Sequence, residues 1–64
     1  MIHNIKHEWL PNGNFRMSGE ESIKDKYGNS IRYFIKEYTK KEIEMFNKLN
    51  ISIYEDFIQW CHRI

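Results

Sequence analysis

Apolar residues recur at helical spacing twice, both times in the C-terminal part of the chain. Ile43, Phe46 and Leu49, with Met45 beside them, make one stripe. Further on, Ile53, Phe57, Trp60 and Ile64 form one row, and Tyr54, Ile58 and Cys61 the row beside it. A helix with so broad an apolar face must be mostly covered by protein. Each stripe is preceded by a start signal. Thr39 followed by Glu42, and Ser52 followed by Glu55, both have the spacing of a capping box, in which side chain and backbone satisfy each other's free groups. Tyr38 and Ile43 flank the first cap as a hydrophobic staple, and Asn50 is a left-handed stop. Glu55 and Asp56 open the second helix and His62 and Arg63 close it, which suits the helix dipole.

Before Thr39 the pattern shortens to alternation. Ile2 to Leu10 reads as a strand with His3, Ile5, His7 and Trp9 on one face. Asn12-Gly13 is a hairpin signal, because a type I′ turn needs positive φ at both central residues. A two-residue loop there pairs Leu10 with Phe15 and Trp9 with Arg16, allowing a cation–π contact. Phe15 to Ser18 follows as a short strand, and Ser18 to Ser22 is a loop by composition. Ile23 to Tyr27 and Ser30 to Tyr38 read as two more strands joined at Gly28-Asn29. Two registers are open. A two-residue turn pairs Asp25 with Arg32 and Ile23 with Phe34. A three-residue turn ending at Ser30 puts Ile23, Tyr27, Ile31, Tyr33 and Ile35 on the core face and leaves Lys24, Lys26, Arg32, Phe34 and Lys36 on the other. The second gives the cleaner core and is preferred, at the cost of like charges across strands.

These elements predict an α+β fold over residues 1–64 as a single domain, a small antiparallel sheet of three to four strands packed on two C-terminal helices. With no Ala and no Val, the four Phe, four Tyr and two Trp must supply much of the core. A core this small leaves marginal stability or oligomerisation as the expectation, and Trp60 with Ile64 is one surface for a homo-oligomer. Ten Ile, seven Lys and six Asn point to an AT-rich coding sequence, as in a low-GC bacterium or its phage. One Cys excludes an internal disulfide and suits the cytoplasm. No apolar run reaches the ~20 residues of a membrane span, and the N-terminus, beginning at Met1, lacks a signal core.

Chemistry is sparse. His3, His7, Cys61 and His62 are zinc-type ligands, but their spacing matches no ligand pattern, so no metal and no cofactor are expected. Cys61 and His62 are adjacent on a helix and point about 100° apart, which denies them a nucleophile–base geometry. Glu20 and Glu21 read as solvated, and the three glycines occur singly, in no phosphate-cradling motif. An enzyme is not expected.

The basic features carry more. Lys40 and Lys41 sit in the first turn of a helix, where the dipole disfavours cations and free N–H groups favour anions. In the preferred register Arg32, Phe34 and Lys36 form a basic sheet face with an aromatic platform. Arg32, Phe34, Lys36, Lys40 and Lys41 are therefore the candidate binding residues. Asn12-Gly13-Asn14-Phe15-Arg16, Asp25-Lys26-Tyr27-Gly28-Asn29-Ser30-Ile31-Arg32 and Thr39-Lys40-Lys41-Glu42 before an apolar helix together resemble the AP2-like arm-binding domains of tyrosine recombinases. The resemblance covers residues 12–49 and implies a three-stranded sheet laid on DNA and backed by a helix. That family does not require the helix after Ser52 and is usually more basic than this chain, whose net charge is +1.

A strongly basic nucleic-acid binder is not indicated by that total. The sequence predicts instead a non-enzymatic protein-binding regulator or inhibitor, of a kind carried by phage or mobile elements, with exposed aromatics as anchors. The alternative is a nucleic-acid-binding module using the basic sheet face.

Overall fold

The computed structural model describes residues 1–64. The elements run β1 (Ile2–Trp9), β2 (Phe15–Asp25), β3 (Gly28–Tyr38), α1 (Lys40–Lys48) and α2 (Ile53–Arg63). The strands form one antiparallel sheet in the order β1-β2-β3, and the two helices close the C-terminal end. This is the expected α+β class with three strands. Phe15 to Asp25 is continuous, so the expected loop at Ser18 to Ser22 is strand.

The reason lies at Gly19. It is buried in the middle strand, and a Cβ there would stand 2.9 Å from Ile2 Cγ2 and 3.4 Å from Phe57 Cε2. The missing side chain lets α2 and β1 approach the sheet backbone. In a short two-layer domain this glycine serves packing and breaks nothing.

Both hairpins differ from their expected registers. In the first, Leu10 N–H donates to Asn14 O at 2.8 Å and Gly13 N–H to Leu10 O at 3.0 Å, enclosing the three-residue loop Pro11–Gly13. Of the loop residues Gly13 alone takes positive φ (+88°), so the turn is not type I′. Trp9 therefore faces Phe15, with ring centroids 4.7 Å apart, and Arg16 faces Glu8, with Nη1 2.9 Å from Oε1. The Trp9–Arg16 pairing does not form. In the second hairpin the turn is the two residues Lys26-Tyr27, two positions before Gly28-Asn29. Asp25 accepts from the Tyr27 N–H at 2.8 Å, and Gly28, at φ +122°, begins the return strand. Asp25 pairs with Gly28, Gly19 with Phe34 and Phe15 with Tyr38, without interruption.

This register decides which face meets the helices. Phe15, Met17 and Gly19 share one face with Tyr38, Lys36 and Phe34. Met17, Phe34 and Tyr38 are buried there with Ile2, Ile43, Phe57 and Cys61. Ile31, Tyr33 and Ile35, expected in the core, lie on the opposite, open face. On β1 an extra residue between His3 and Lys6, with Asn4 at φ +52°, makes a bulge. It turns Ile2 and Ile5 toward the core and sends His3 to the open face, away from His7. Residues 24–33 are all exposed, so the distal half of the β2–β3 hairpin projects as an arm, and the molecule measures 44 × 24 × 16 Å.

The helix starts match their sequence signals more closely. Thr39 accepts from Glu42 N–H at 3.1 Å, and Glu42 Oε1 accepts from Thr39 N–H at 3.2 Å, a complete capping box. Ser52 accepts from Glu55 N–H at 3.3 Å, but the return bond is not made. Asn50, at φ +59°, ends α1; Ile51 N–H donates to Phe46 O at 2.8 Å and Asn50 N–H to Asn47 O at 3.2 Å, a Schellman closure. The apolar stripes are only partly used. Ile43, Phe57 and Cys61 are buried and Trp60 is partly buried, whereas Met45, Leu49, Tyr54 and Ile64 are exposed. Thr39→Ala should lower stability by about 1–2 kcal/mol and Ser52→Ala by about 0.5–1 kcal/mol, because the first cap satisfies two groups and the second one. Urea denaturation of the two variants checks the order.

Candidate binding surface on the sheet

The five candidate binding residues do not form one surface. Arg32, Phe34 and Lys36 alternate onto the helix side of β3, and Phe34 is only 3 % exposed, within the core. Its ring meets Trp60 edge-on at 6.4 Å and carries the Arg32 guanidinium at 5.3 Å. Phe34 is therefore no exposed platform; the turn at Lys26-Tyr27 reverses the face that a turn ending at Ser30 would have given it. Lys36 is also engaged. Its Nζ lies 3.6 Å from Asp56 Oδ2, 5.0 Å from the Tyr38 ring and 5.3 Å from the Trp60 ring. Here the aliphatic stem covers aromatic surface and the charge neutralises a partly buried carboxylate.

Tyr38 completes this cluster. Its hydroxyl donates to Asp56 Oδ2 at 2.8 Å. Burial, and then that bond, push the phenol well above its ordinary value. The buried Cys61 thiol is also pushed up, chiefly by burial. Both folded forms hold a proton that the unfolded chain releases sooner. The stability they contribute is complete below the ordinary values, about 8.5 for the thiol and about 10 for the phenol, and is lost as pH rises beyond them. Urea midpoints should therefore fall from about pH 8.5 upward, more steeply past about pH 10. Tyr38→Phe should remove the steeper part and cost about 1–2 kcal/mol at neutral pH through the lost hydrogen bond.

Lys40 and Lys41 are exposed at the start of α1, but that helix end is largely occupied. Lys40 N–H donates to Asn14 Oδ1 at 3.2 Å, and Asn14 Nδ2 donates to Glu37 Oε2 at 2.7 Å, tying the first hairpin to the helix. Glu42 N–H belongs to Thr39. Few backbone donors are left for an anion.

The open face is what sequence reasoning missed. Along β3 it shows Ile31, Tyr33 and Ile35, 51 %, 70 % and 64 % exposed, in a row that no helix covers. A hollow of about 260 Å³ lies beside them over Ser18 and Gly19, with Asn4, Lys6 and Glu20 at its far side. Across β1 and β2 the same face is polar and balanced. Lys6, Arg16 and Lys24 stand among Glu8, Glu20 and Glu37, with Arg16 paired to Glu8 and 4.0 Å from Glu37. The signal that would have revealed the row is Asp25, whose carboxylate folds onto the Tyr27 N–H and fixes the turn.

A second apolar concavity, about 440 Å³, lies on the other side between Phe15 and Met17 of β2 and Ile51, Ile53 and Tyr54 at the helix corner. His3, His7, Cys61 and His62 are not gathered: the first two lie on opposite faces, and Cys61 is buried. No helix is long and apolar enough to cross a membrane. Comparison with family models, curated proteins and solved structures finds no match to this chain.

Proposed function

We propose that this chain is a non-enzymatic protein-binding module, a small regulator or inhibitor, whose contact surface is the open sheet face along β3. The observation that carries the reading is the row Ile31, Tyr33, Ile35, three large apolar side chains each more than half exposed on a regular strand. Contiguous apolar surface of this kind, beside a polar rim, favours a protein partner. A polyanion gains little here. The open face carries as many carboxylates as cations, and Arg32 and Lys36 are spent on the inner side.

The test is a photo-reactive amino acid at position 33, in the cells that encode the chain. Protein adducts are expected, with far fewer from the same group at Lys48, exposed on α1. Adducts to nucleic acid, or none, would overturn the reading. Titration with mixed-sequence duplex and single-stranded DNA at low salt should show no tight complex. Binding that vanishes at moderate salt and on Lys40→Glu and Lys41→Glu changes would move the function to nucleic acid.

A further inference from the structure

We infer that the partner of β3 is a second copy of this chain, paired antiparallel edge to edge about a two-fold axis at Tyr33 to make a six-stranded sheet. This rests on the reading of the β3 row as a contact surface, and adds what pairs with the edge of that strand and in which register.

The backbone supplies the first argument. Leu10 N–H bonds to Asn14 O, so the even-numbered residues of β2 from Asn14 on direct their backbone groups toward β1. In an antiparallel sheet those groups alternate sides along a strand, so Met17, Gly19 and Glu21 direct theirs toward β3. Their partners there are Lys36, Phe34 and Arg32. The N–H and C=O groups of Ile31, Tyr33 and Ile35 therefore point to the outer edge, which no strand covers.

The two edges of the sheet are unlike. The β1 edge is blunted by the bulge at Asn4. The β3 edge pairs with β2 without a break through its eleven residues and contains no proline. A long, regular edge whose outward-bonding residues Ile31, Tyr33 and Ile35 are apolar templates another strand. Two copies joined at β3 leave only the blunted edges outside, so the assembly stops at two.

The register follows from the side chains. With the axis at Tyr33, Ile31 lies opposite Ile35 of the second copy, and the two rows merge into one stripe on the open face. On the inner face Arg32 lies opposite Phe34 and Ser30 opposite Lys36; Asn29 meets Glu37 on the open face. No like charges meet. Moving the axis to Arg32 sets two guanidiniums opposite each other. Moving it to Phe34 sets Arg32 against Lys36. Like charges directly opposite are destabilising. An axis at Ile31 or Ile35 would set Tyr33 against Asn29 or Glu37, so the Tyr33 register, which alone lays the whole row against itself, is preferred.

Sedimentation equilibrium of the full chain should show twice the chain mass, dissociating on dilution. Tyr33→Pro should give a folded monomer, since the proline removes an outward N–H and leaves the bonds to β2 intact. The double variant Ile31→Lys, Ile35→Lys, changed only at exposed side chains, should do the same. In a Cys61→Ser background, Tyr33→Cys should form an intermolecular disulfide on mild oxidation and Ile35→Cys should not. The hydrogen-bonded pair sets the Cα atoms about 5.5 Å apart, within disulfide reach. A dimer that persists in both the proline and the lysine variants, a disulfide through position 35 in preference to 33, or open-ended assemblies would overturn the inference. A chain monomeric at every concentration would also overturn it. Photo-adducts from position 33 to another protein would then leave the contact surface standing, and their absence would remove both.

Discussion

Phe57→Ala should leave the chain largely unfolded at 25 °C. Phe57 is one of two large side chains with no exposed surface, and it lies where α2 meets the sheet, its ring edge against Gly19 and its centroid 6.0 Å from Trp60. Truncating a buried phenylalanine costs about 3–5 kcal/mol. The eight buried residues of this chain give it little to spare. Circular dichroism of the variant should show lost helix signal without denaturant. A variant of native stability would mean that α2 is not anchored on the sheet through this ring.

The complementary change adds atoms to the same contact. Gly19→Val should destabilise by about 2–3 kcal/mol, the usual cost of overpacking a filled core. Its first methyl-sized atom already stands too near Ile2 Cγ2, a branch fixed close to the β1 backbone, and the rest meets the Phe57 ring. Ile2→Ala should recover part of the loss if the clash is where the geometry puts it, because residues sharing a contact are not additive. Ser22→Val, at an exposed position further along the same strand, should change stability little and serves as the control.

The helix ends were legible because their signals are local. Thr39, Glu42, Asn50 and Ser52 act within one turn of their own positions, and no distant pairing alters what they mean. Strand faces were less legible because a one-residue change in a turn moves every side chain to the other face. Asn12-Gly13 suits a two-residue loop, yet the hydrogen bond from Gly13 to Leu10 closes a three-residue one. Gly28-Asn29 looks like a turn centre, yet Asp25 sets the turn two residues earlier, at Lys26-Tyr27. A turn of two residues in place of the preferred three exchanged Phe34 for Tyr33 between core and surface. It left Arg32 and Lys36 among inner contacts, so the candidate site moved to the other side of the same strand. Gly19 misled for a different reason: a glycine flanked by Ser18, Glu20 and Glu21 reads as a loop, and its partners Ile2 and Phe57 are far away in sequence.

Amide hydrogen exchange along β3 tests the binding surface most directly, since the surface depends on which backbone groups face outward. In dilute solution the amides of Arg32, Phe34 and Lys36 should be protected by β2, while those of Ile31, Tyr33 and Ile35 exchange rapidly. As concentration rises, the second set should become protected while the first changes little. Fast exchange at Arg32, Phe34 and Lys36 in dilute solution, with Ile31, Tyr33 and Ile35 protected in their place, would mean that the strand presents the other edge, and would contradict the account.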